Sequence, residues 1–447
     1  MNSTKRSSAL VLLLFVFAGC GFLADKGKEP KGDRNLPAGG VGRFLKQDFH
    51  CDVEFVQPFV PGLEDPAGQD WMTGEPCMIV QDGAIRVWVE RRHPGRGQSA
   101  IHTTLLGLGP GTECRDVDAW VEEPLREILF DPAPGPQAGA PTVLRSDGLY
   151  RMWFTQGDGA AIRYAYAPEA DCTPVDCSTW TLHPEPAAVP NQDWERGTVG
   201  SPSVVQYKGV YLMYYDGDVY RDRAIGHAWS LDGITWTKAD PQGNEAAAAA
   251  PAPGTRSVQP VLRADQPIWE FWYPDPSYGP RYVGRVGQPS VIVHRTPLRT
   301  ILLMYYTGNL AGKIERPKRP GDLQGRDASI GIAYSEDGVH WEKAPSYSER
   351  DVIALEINPI MGEKLAIVID PTKPEESVNV FATFFIINEA APAVLELVPN
   401  QFFIMLWEQT DHVNLYALAN PNAPPGEENG YEGFSGIGFA YTGNIPF

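Results

Sequence analysis

Apolar residues along this chain fall in runs of about four to seven, broken by turn residues. Almost nowhere do they follow the 3.6-residue spacing of an amphipathic helix. The runs recur as one unit. A small or polar residue and a proline lead into a β-branched run; a turn, an apolar-aromatic run and an isoleucine-keyed strand follow. First runs start at Pro76, Pro141, Pro202, Pro289 and Pro392. Second runs are Ile85 to Val89, Tyr150 to Phe154, Tyr211 to Tyr215, Leu302 to Tyr306 and Phe402 to Trp407. The third are keyed by Ile101, Ile162, Ile225, Ile330 and Ile437. No unit is large enough to bury its own face, so five copies predict radial stacking into an all-β, five-bladed β-propeller over residues 48–447.

The third and fourth units are the clearest. Ile225-Gly226-His227-Ala228-Trp229-Ser230 and Ile330-Gly331-Ile332-Ala333-Tyr334-Ser335 each run into an Asp-Gly turn and a tryptophan, Trp236 or Trp341. Asp-Gly between alternating apolar runs predicts a hairpin. These stretches resemble sialidase-type Asp boxes shortened by one residue, and so predict a folding device. The second unit replaces that turn with a loop between Cys172 and Cys177, expected to close as a disulfide. The fifth unit stops too soon after Thr442 for an outer strand. An unpaired edge is a liability, so Cys51 to Val60 is expected to supply that strand. Residues 241–256, rich in Ala and Pro, are expected to form a loop.

Composition adds a location. Lys5 and Arg6 precede an apolar run, Ala9 to Phe17, that ends on Ala18-Gly19-Cys20. A basic start, a short apolar stretch and small residues predict a secretory signal over residues 1–19. The junction resembles that of a bacterial lipoprotein, which implies cleavage before Cys20, lipid on its thiol and an envelope location, in the outer membrane or at the cell surface. Residues 20–47 then read as anchor and flexible tether. Of the other cysteines, Cys51, Cys77 and Cys114 have no assignable pairing, with Cys77 expected to be buried in a first-strand run. The net charge of −19 disfavours nucleic acids and anionic headgroups, leaving neutral sugars or cationic ligands as compatible partners. No Cys/His spacing suggests a metal, no motif suggests a cofactor, and a monomer is expected.

Propeller geometry brings one set of residues to a common mouth: those before the prolines and those ending the second strands. They include Glu75, Ser201 and Gln288, then Glu90-Arg91-Arg92, Asp158, Asp216, Asp218, Asn309 and Glu408, with His227 on a third strand. Ser-Pro-Ser-Val-Val, Tyr-Leu-Met-Tyr-Tyr-Asp-Gly and the Ile225 to Trp236 run, with the copy in the fourth unit, look like the five-bladed propeller glycosidases. That superfamily includes arabinanases, β-xylosidases, invertases, levansucrases and β-mannoside phosphorylases. The resemblance implies a sugar in an axial funnel, a carboxylate base or nucleophile in the first blade and a glutamic acid further on. Glu75 is therefore expected as base or nucleophile, with Asp216 and Glu408 as partners. Arg91, Asp158, Ser201, Asp218, His227, Gln288 and Asn309 are the expected substrate contacts. Two departures stand out: Glu75-Pro76 replaces the usual Asp-Pro, and neutral Ser201 and Gln288 occupy positions where later blades offer acids. Two functions follow: a glycosidase-like surface lipoprotein that binds and hydrolyses a neutral glycan, or a non-catalytic glycan- or protein-binding lipoprotein with replaced catalytic residues.

Overall fold

A computed structural model describes residues 45–46, 72–93, 98–106, 125–133, 137–173, 176–218, 223–249, 257–266, 270–272, 283–308, 329–344, 385–398, 402–413 and 432–442. Among these residues the only helical element is a single 3-10 turn, Asp193–Glu195; the rest is strand and connection.

Strand β1 (Leu45–Lys46) comes first in the chain. The first sheet holds β2 (Met72–Gln81), β3 (Ala84–His93), β4 (Gln98–Leu106) and β5 (Arg126–Glu127), in that order. The second holds β6 (Leu129–Asp131), β7 (Ala138–Ser146), β8 (Leu149–Gln156), β9 (Ala161–Pro168) and β10 (Thr179–Leu182), arranged β6-β10-β9-β8-β7. The third runs β11 (Val199–Tyr207), β12 (Val210–Gly217), β13 (Ala224–Ser230), β14 (Thr237–Ala239) and β15 (Glu245–Ala247). A two-stranded ribbon, β16 (Phe271–Trp272) and β17 (Val283–Gly284), precedes the fourth, β18 (Val286–Arg295), β19 (Thr300–Gly308), β20 (Ser329–Ser335) and β21 (Glu342–Lys343). The last holds β22 (Phe385–Val398), β23 (Phe402–Val413) and β24 (Glu432–Thr442). Its free edge is taken by β1, with Leu45 opposite Tyr441 and Lys46 opposite Ala440. Cys51 to Val60, expected on that edge, lie outside the described residues, as do Cys20, Cys51 and Cys114.

The arrangement is propeller-like. The first strands β2, β7, β11, β18 and β22 contact one another in sequence, and β22 also contacts β2. Each interface between neighbouring sheets holds an apolar layer drawn from both. Trp153, Tyr164, Met213 and Trp236 pack between the second and third, and Tyr214, Leu302, Met304 and Tyr306 between the third and fourth. The aromatic second strands supply these layers because a flat ring fills the space between two sheets without a cavity.

At one end the Asp-Gly hairpins do what the sequence predicts. Asp232 Oδ1 accepts the Ile234 and Thr235 N–H groups at 2.8 Å each, and Trp236 Nε1 donates to Gly233 O. Gly233 O also accepts Trp153 Nε1 of the preceding sheet at 3.0 Å. The fourth sheet repeats this, with Tyr214 Oη donating to Gly338 O at 2.8 Å. In the second sheet Cys172 and Cys177 are joined as a disulfide, and Trp180 Nε1 donates to Cys177 O. Within 241–256, Glu245–Ala247 form a strand rather than loop, pairing with β14. Alternation explains it: Ala246 is buried while Glu245 and Ala247 face out.

Asp232→Ala removes the acceptor of two exposed backbone N–H groups, which water can then take. It is expected to lower unfolding free energy by about 0.5–1.5 kcal/mol, read from chemical denaturation, with Asp232→Asn costing less because one acceptor remains.

Candidate active site at the inner strand ends

Each first strand carries the same irregularity. Register slips between Gly74 and Cys77, Gly139 and Thr142, Gly200 and Ser203, Gly287 and Ser290, and Ala390 and Ala393. Proline has no N–H to give a ladder, so the strand bulges there. The residue before it takes a left-handed conformation, with φ of 46° at Glu75, 47° at Ala140, 43° at Ser201, 48° at Gln288 and 47° at Ala391. For residues with a Cβ this costs on the order of 1–3 kcal/mol and needs outside support. Support comes from the sheet before. Each left-handed N–H donates to a side chain in the latter half of that sheet's second strand. Ala140 N reaches Glu90 Oε2 at 3.0 Å, Ser201 N reaches Thr155 Oγ1 at 2.9 Å and Gln288 N reaches Asp216 Oδ1 at 2.8 Å. Ala391 N reaches Thr307 Oγ1 at 2.9 Å, and Glu75 N reaches Glu408 Oε2 at 3.2 Å. A side chain at Gly74 or Gly139 would overlap Glu408 or Glu90, so glycine there makes room for the acceptor.

A second tier lies one step along. The residue after the proline accepts an N–H from the next first strand: Val143 to Cys77 Sγ, Val204 to Thr142, Val291 to Ser203 and Val394 to Ser290, at 2.9–3.3 Å. Cys77 is a free, half-buried thiol whose pKa burial pushes up to about 12. It acts here as a hydrogen-bond acceptor in the frame.

These contacts gather Glu75, Glu90, Asp216 and Glu408 with Arg92 and Arg223. Asp216 is fully buried; one oxygen takes Gln288 N and the other pairs with Arg223. Glu408 accepts Arg92 Nη2 at Oε1 (2.5 Å) and the Glu75 N–H at Oε2. Arg92 is 36% exposed, so solvent screens its pairs in part. Glu75 differs. Its Oε1 accepts Gln288 Nε2 at 2.6 Å and Ser201 Oγ at 3.5 Å, both uncharged donors, and Oε2 has no partner among the described residues. Gln288 is oriented for this, because its Oε1 accepts Ala391 N at 3.2 Å and leaves the amide NH₂ facing Glu75. Glu90 spends only Oε2 on the frame, and its Oε1 stands 3.8 Å from Arg92 Nε.

The electrostatics follow. Burial, then the charge of Glu408, raises the pKa of Glu75 against the pull of Arg223 and Arg92. Burial raises Glu90 to about 7, with Arg92 opposing and Glu75 adding. Asp216 is likewise pushed up to about 7 by burial, against Arg223. Burial thus moves Glu90 and Asp216 out of the ordinary carboxylate range toward neutral pH.

The structure thus brings together Glu75, Asp216, Glu408, Ser201 and Gln288 of the expected set. It does not bring in the others that lie among the described residues. Asp216 and Glu408, expected as catalytic partners, have both oxygens engaged by the frame and an arginine. His227 is buried and stacked on Tyr214 with ring centroids 5.1 Å apart, its pKa lowered to about 4 by burial. Asp218 pairs with Arg196 Nε at 3.3 Å. Asp158 is exposed in the turn after β8. Strand alternation sends Arg91 to the opposite face from Glu90 and Arg92. Asn309 lies outside the described residues. Sequence reasoning missed the weight of Glu90, Arg92 and Arg223, and the roles of Thr155 and Thr307. The available signal was Gly-X-Pro paired with a residue in the latter half of the preceding second strand. Among the described residues no three His, Cys, Asp or Glu side chains are grouped to hold a metal.

No protein-family model matches the chain. Two uncharacterized proteins of Mycobacterium tuberculosis are each 27% identical to it over 165 residues, 34% of this chain and 49% of theirs. The chain thus spans about half the length of the curated relatives it matches. Among solved structures it is similar to a glycosyl hydrolase from Bacteroides ovatus (13% identity, TM-score 0.44, 91% of this chain and 95% of that one). It is also similar to the α-L-arabinofuranosidase of Podospora anserina in complex with cellotriose (11% identity, TM-score 0.44, 85% and 93%). A third is a member of the GH130 family of mannoside phosphorylases, from work on β-1,2 mannosidic linkages in Candida mannan (13% identity, TM-score 0.44, 92% and 99%). At these TM-scores the likeness bears on no step of the chemistry.

A raised folded-state pKa at a carboxyl favours the protonated form, so its stabilisation is present at low pH and lost as pH rises. With Glu90 and Asp216 both raised to about 7 from an ordinary range near 4, the melting temperature is expected to fall between about pH 4 and pH 7 and to level off above. Glu90→Gln and Asp216→Asn should each flatten that profile, which thermal melts in matched buffers would show.

Proposed function

We propose that the protein is a five-bladed propeller, exported and held at the bacterial envelope by lipid on Cys20, that binds a neutral glycan at the inner strand ends and hydrolyses it. The sequential contacts of the five first strands and the pairing of Leu45–Lys46 with β24 support the ring. The Ala18-Gly19-Cys20 junction supports the anchor. The observation that carries the chemistry is Glu75: a carboxyl held by two neutral donors, with one oxygen unpartnered among the described residues and its pKa raised.

Glycoside hydrolysis takes one carboxyl that carries a proton and one carboxylate that activates water or attacks the sugar. Glu75 is the acid in this reading. Its proton passes to the glycosidic oxygen as the bond to the sugar breaks. Glu90, with Oε1 uncommitted to the frame, is the base or nucleophile. Like charges in one cluster do not both ionise readily, which is how two carboxyls come to hold opposite roles. Asp216 and Glu408 fix the frame and the arginines, and Arg92 and Arg223 meet the sugar hydroxyls. A second reading is favoured by Ser201 and Gln288, neutral where the resembled glycosidases offer acids: the cluster holds the glycan without cleaving it.

Aryl arabinosides, xylosides, fructosides and mannosides, with and without phosphate, test both readings. Hydrolysis is expected, with Glu75→Gln and Glu90→Gln each lowering turnover about 10²–10⁴-fold. Absence of turnover with glycan-array binding retained would replace the hydrolase by the binder.

A further inference from the structure

One buried ionic clamp is built twice. In the third sheet Lys238 Nζ donates to Glu195 Oε1 at 2.6 Å, Asn191 Oδ1 at 2.9 Å and Val189 O at 2.8 Å, and Tyr215 Oη donates to the same Glu195 oxygen at 2.8 Å. In the fourth, Lys343 Nζ donates to Glu270 Oε1 at 2.7 Å, Asp265 Oδ1 at 2.6 Å and Arg263 O at 2.6 Å, and Tyr306 Oη donates to Glu270 Oε1 at 2.8 Å. The chain before each glutamate is matched too, Asn191-Gln192 in one and Asp265-Gln266 in the other, and both glutamates accept the two N–H groups of that pair.

The copies differ in what lies outside them. The first is sealed: Lys238 and Glu195 are 0% exposed, and β15 pairs over the strand that carries the lysine. The second forms the wall of a groove of about 580 Å³ along β21. Trp341 lines it, half-buried, its indole fixed by Nε1 donating to Gly338 O at 3.2 Å and by a T-shaped contact with Tyr214, ring centroids 5.2 Å apart. Asn191 of the sealed copy becomes Asp265, whose carboxylate is 73% exposed. Lys343 holds one of its oxygens and leaves the other facing outward. Arg263 and Gln266 complete the rim, and the Gln266 amide is fixed by donation to Ala344 O at 2.7 Å. The lining joins the Trp341 indole to the carboxylates of Asp265 and Glu342, the guanidinium of Arg263 and the amide of Gln266. Charges of both signs are present, so neither sign of ligand is favoured, whereas a ring with an apolar face and a rim of hydroxyls matches plane and border together.

We infer that this groove is a second glycan-binding site, on the outermost described strand of the fourth sheet and separate from the inner strand ends. It takes a neutral sugar ring stacked on Trp341, with hydroxyls on Asp265 and Arg263. The inference rests on the glycan reading above for the choice of ligand only. A site at the rim would hold a long chain while the inner site works on another part of it.

Calorimetric titration of the full chain with xylohexaose, arabinohexaose and mannohexaose tests this. At least one is expected to bind both wild type and Glu75→Gln. For that sugar, the double variant Arg263→Ala/Asp265→Ala should raise Kd at least tenfold. Both of those side chains are exposed, so the fold should survive, which melting would check. Trp341→Leu should weaken binding similarly. Unchanged Kd in the double variant, or no binding of any of the three sugars to wild type, would overturn the inference. The hydrolysis screen is scored on Glu75→Gln and Glu90→Gln alone, so either site can fail without the other.

Discussion

The interaction on which the rest depends is a backbone N–H turned out of its strand. Before each inner proline the chain bulges into a left-handed residue, and that residue's N–H is taken by a side chain in the latter half of the second strand of the sheet before. One bond settles three things together. It relieves a buried donor, steadies a backbone conformation that would otherwise be costly, and fixes the distance between neighbouring sheets. Apolar layers supply the bulk of the cohesion between sheets, but they are non-directional. The hydrogen bonds decide how the inner ends meet.

Chemistry is a by-product of that frame. Where the acceptor is Thr155 or Thr307, the bond carries no charge. Where it is Glu90, Asp216 or Glu408, a carboxylate is drawn into a place with little water. Arg92 and Arg223 answer part of that charge, and burial raises the pKa values of Glu75, Glu90 and Asp216 against their pull. Glu75 stands apart because its own side chain braces nothing. It projects from a left-handed residue, so the frame aims it, and it touches the frame only through Gln288 and Ser201.

The fold was largely legible, because its signals are local. Proline, a β-branched run, Asp-Gly and aromatic spacing announce strands and turns within a dozen residues. Even the disulfide loop could be read from Cys172 and Cys177. The site was legible in location but not in roles. Glu75, Ser201 and Gln288 were found because they precede prolines. That Asp216 and Glu408 are framework acceptors depends on which residue of the next sheet faces them, and no local pattern reports it. Arg223 enters from the connection before β13, with no motif of its own. His227 sat in a convincing run, yet the alternation that marks a strand also put it in the layer between sheets. Leu45–Lys46, which pair with the edge of the last sheet, carry none of the β-branched pattern that would advertise a strand.

The acceptor position has a consequence for how such a molecule changes over time. A threonine hydroxyl and a carboxylate satisfy the same N–H at nearly the same distance, 2.9 Å at Ser201 and 2.8 Å at Gln288. Exchanging one for the other therefore leaves the backbone where it was and alters only the charge delivered to the centre. Each of these places can be switched on its own by a change of one residue. The charge gathered at the inner strand ends can thus change while the hydrogen bond that steadies each left-handed residue is kept.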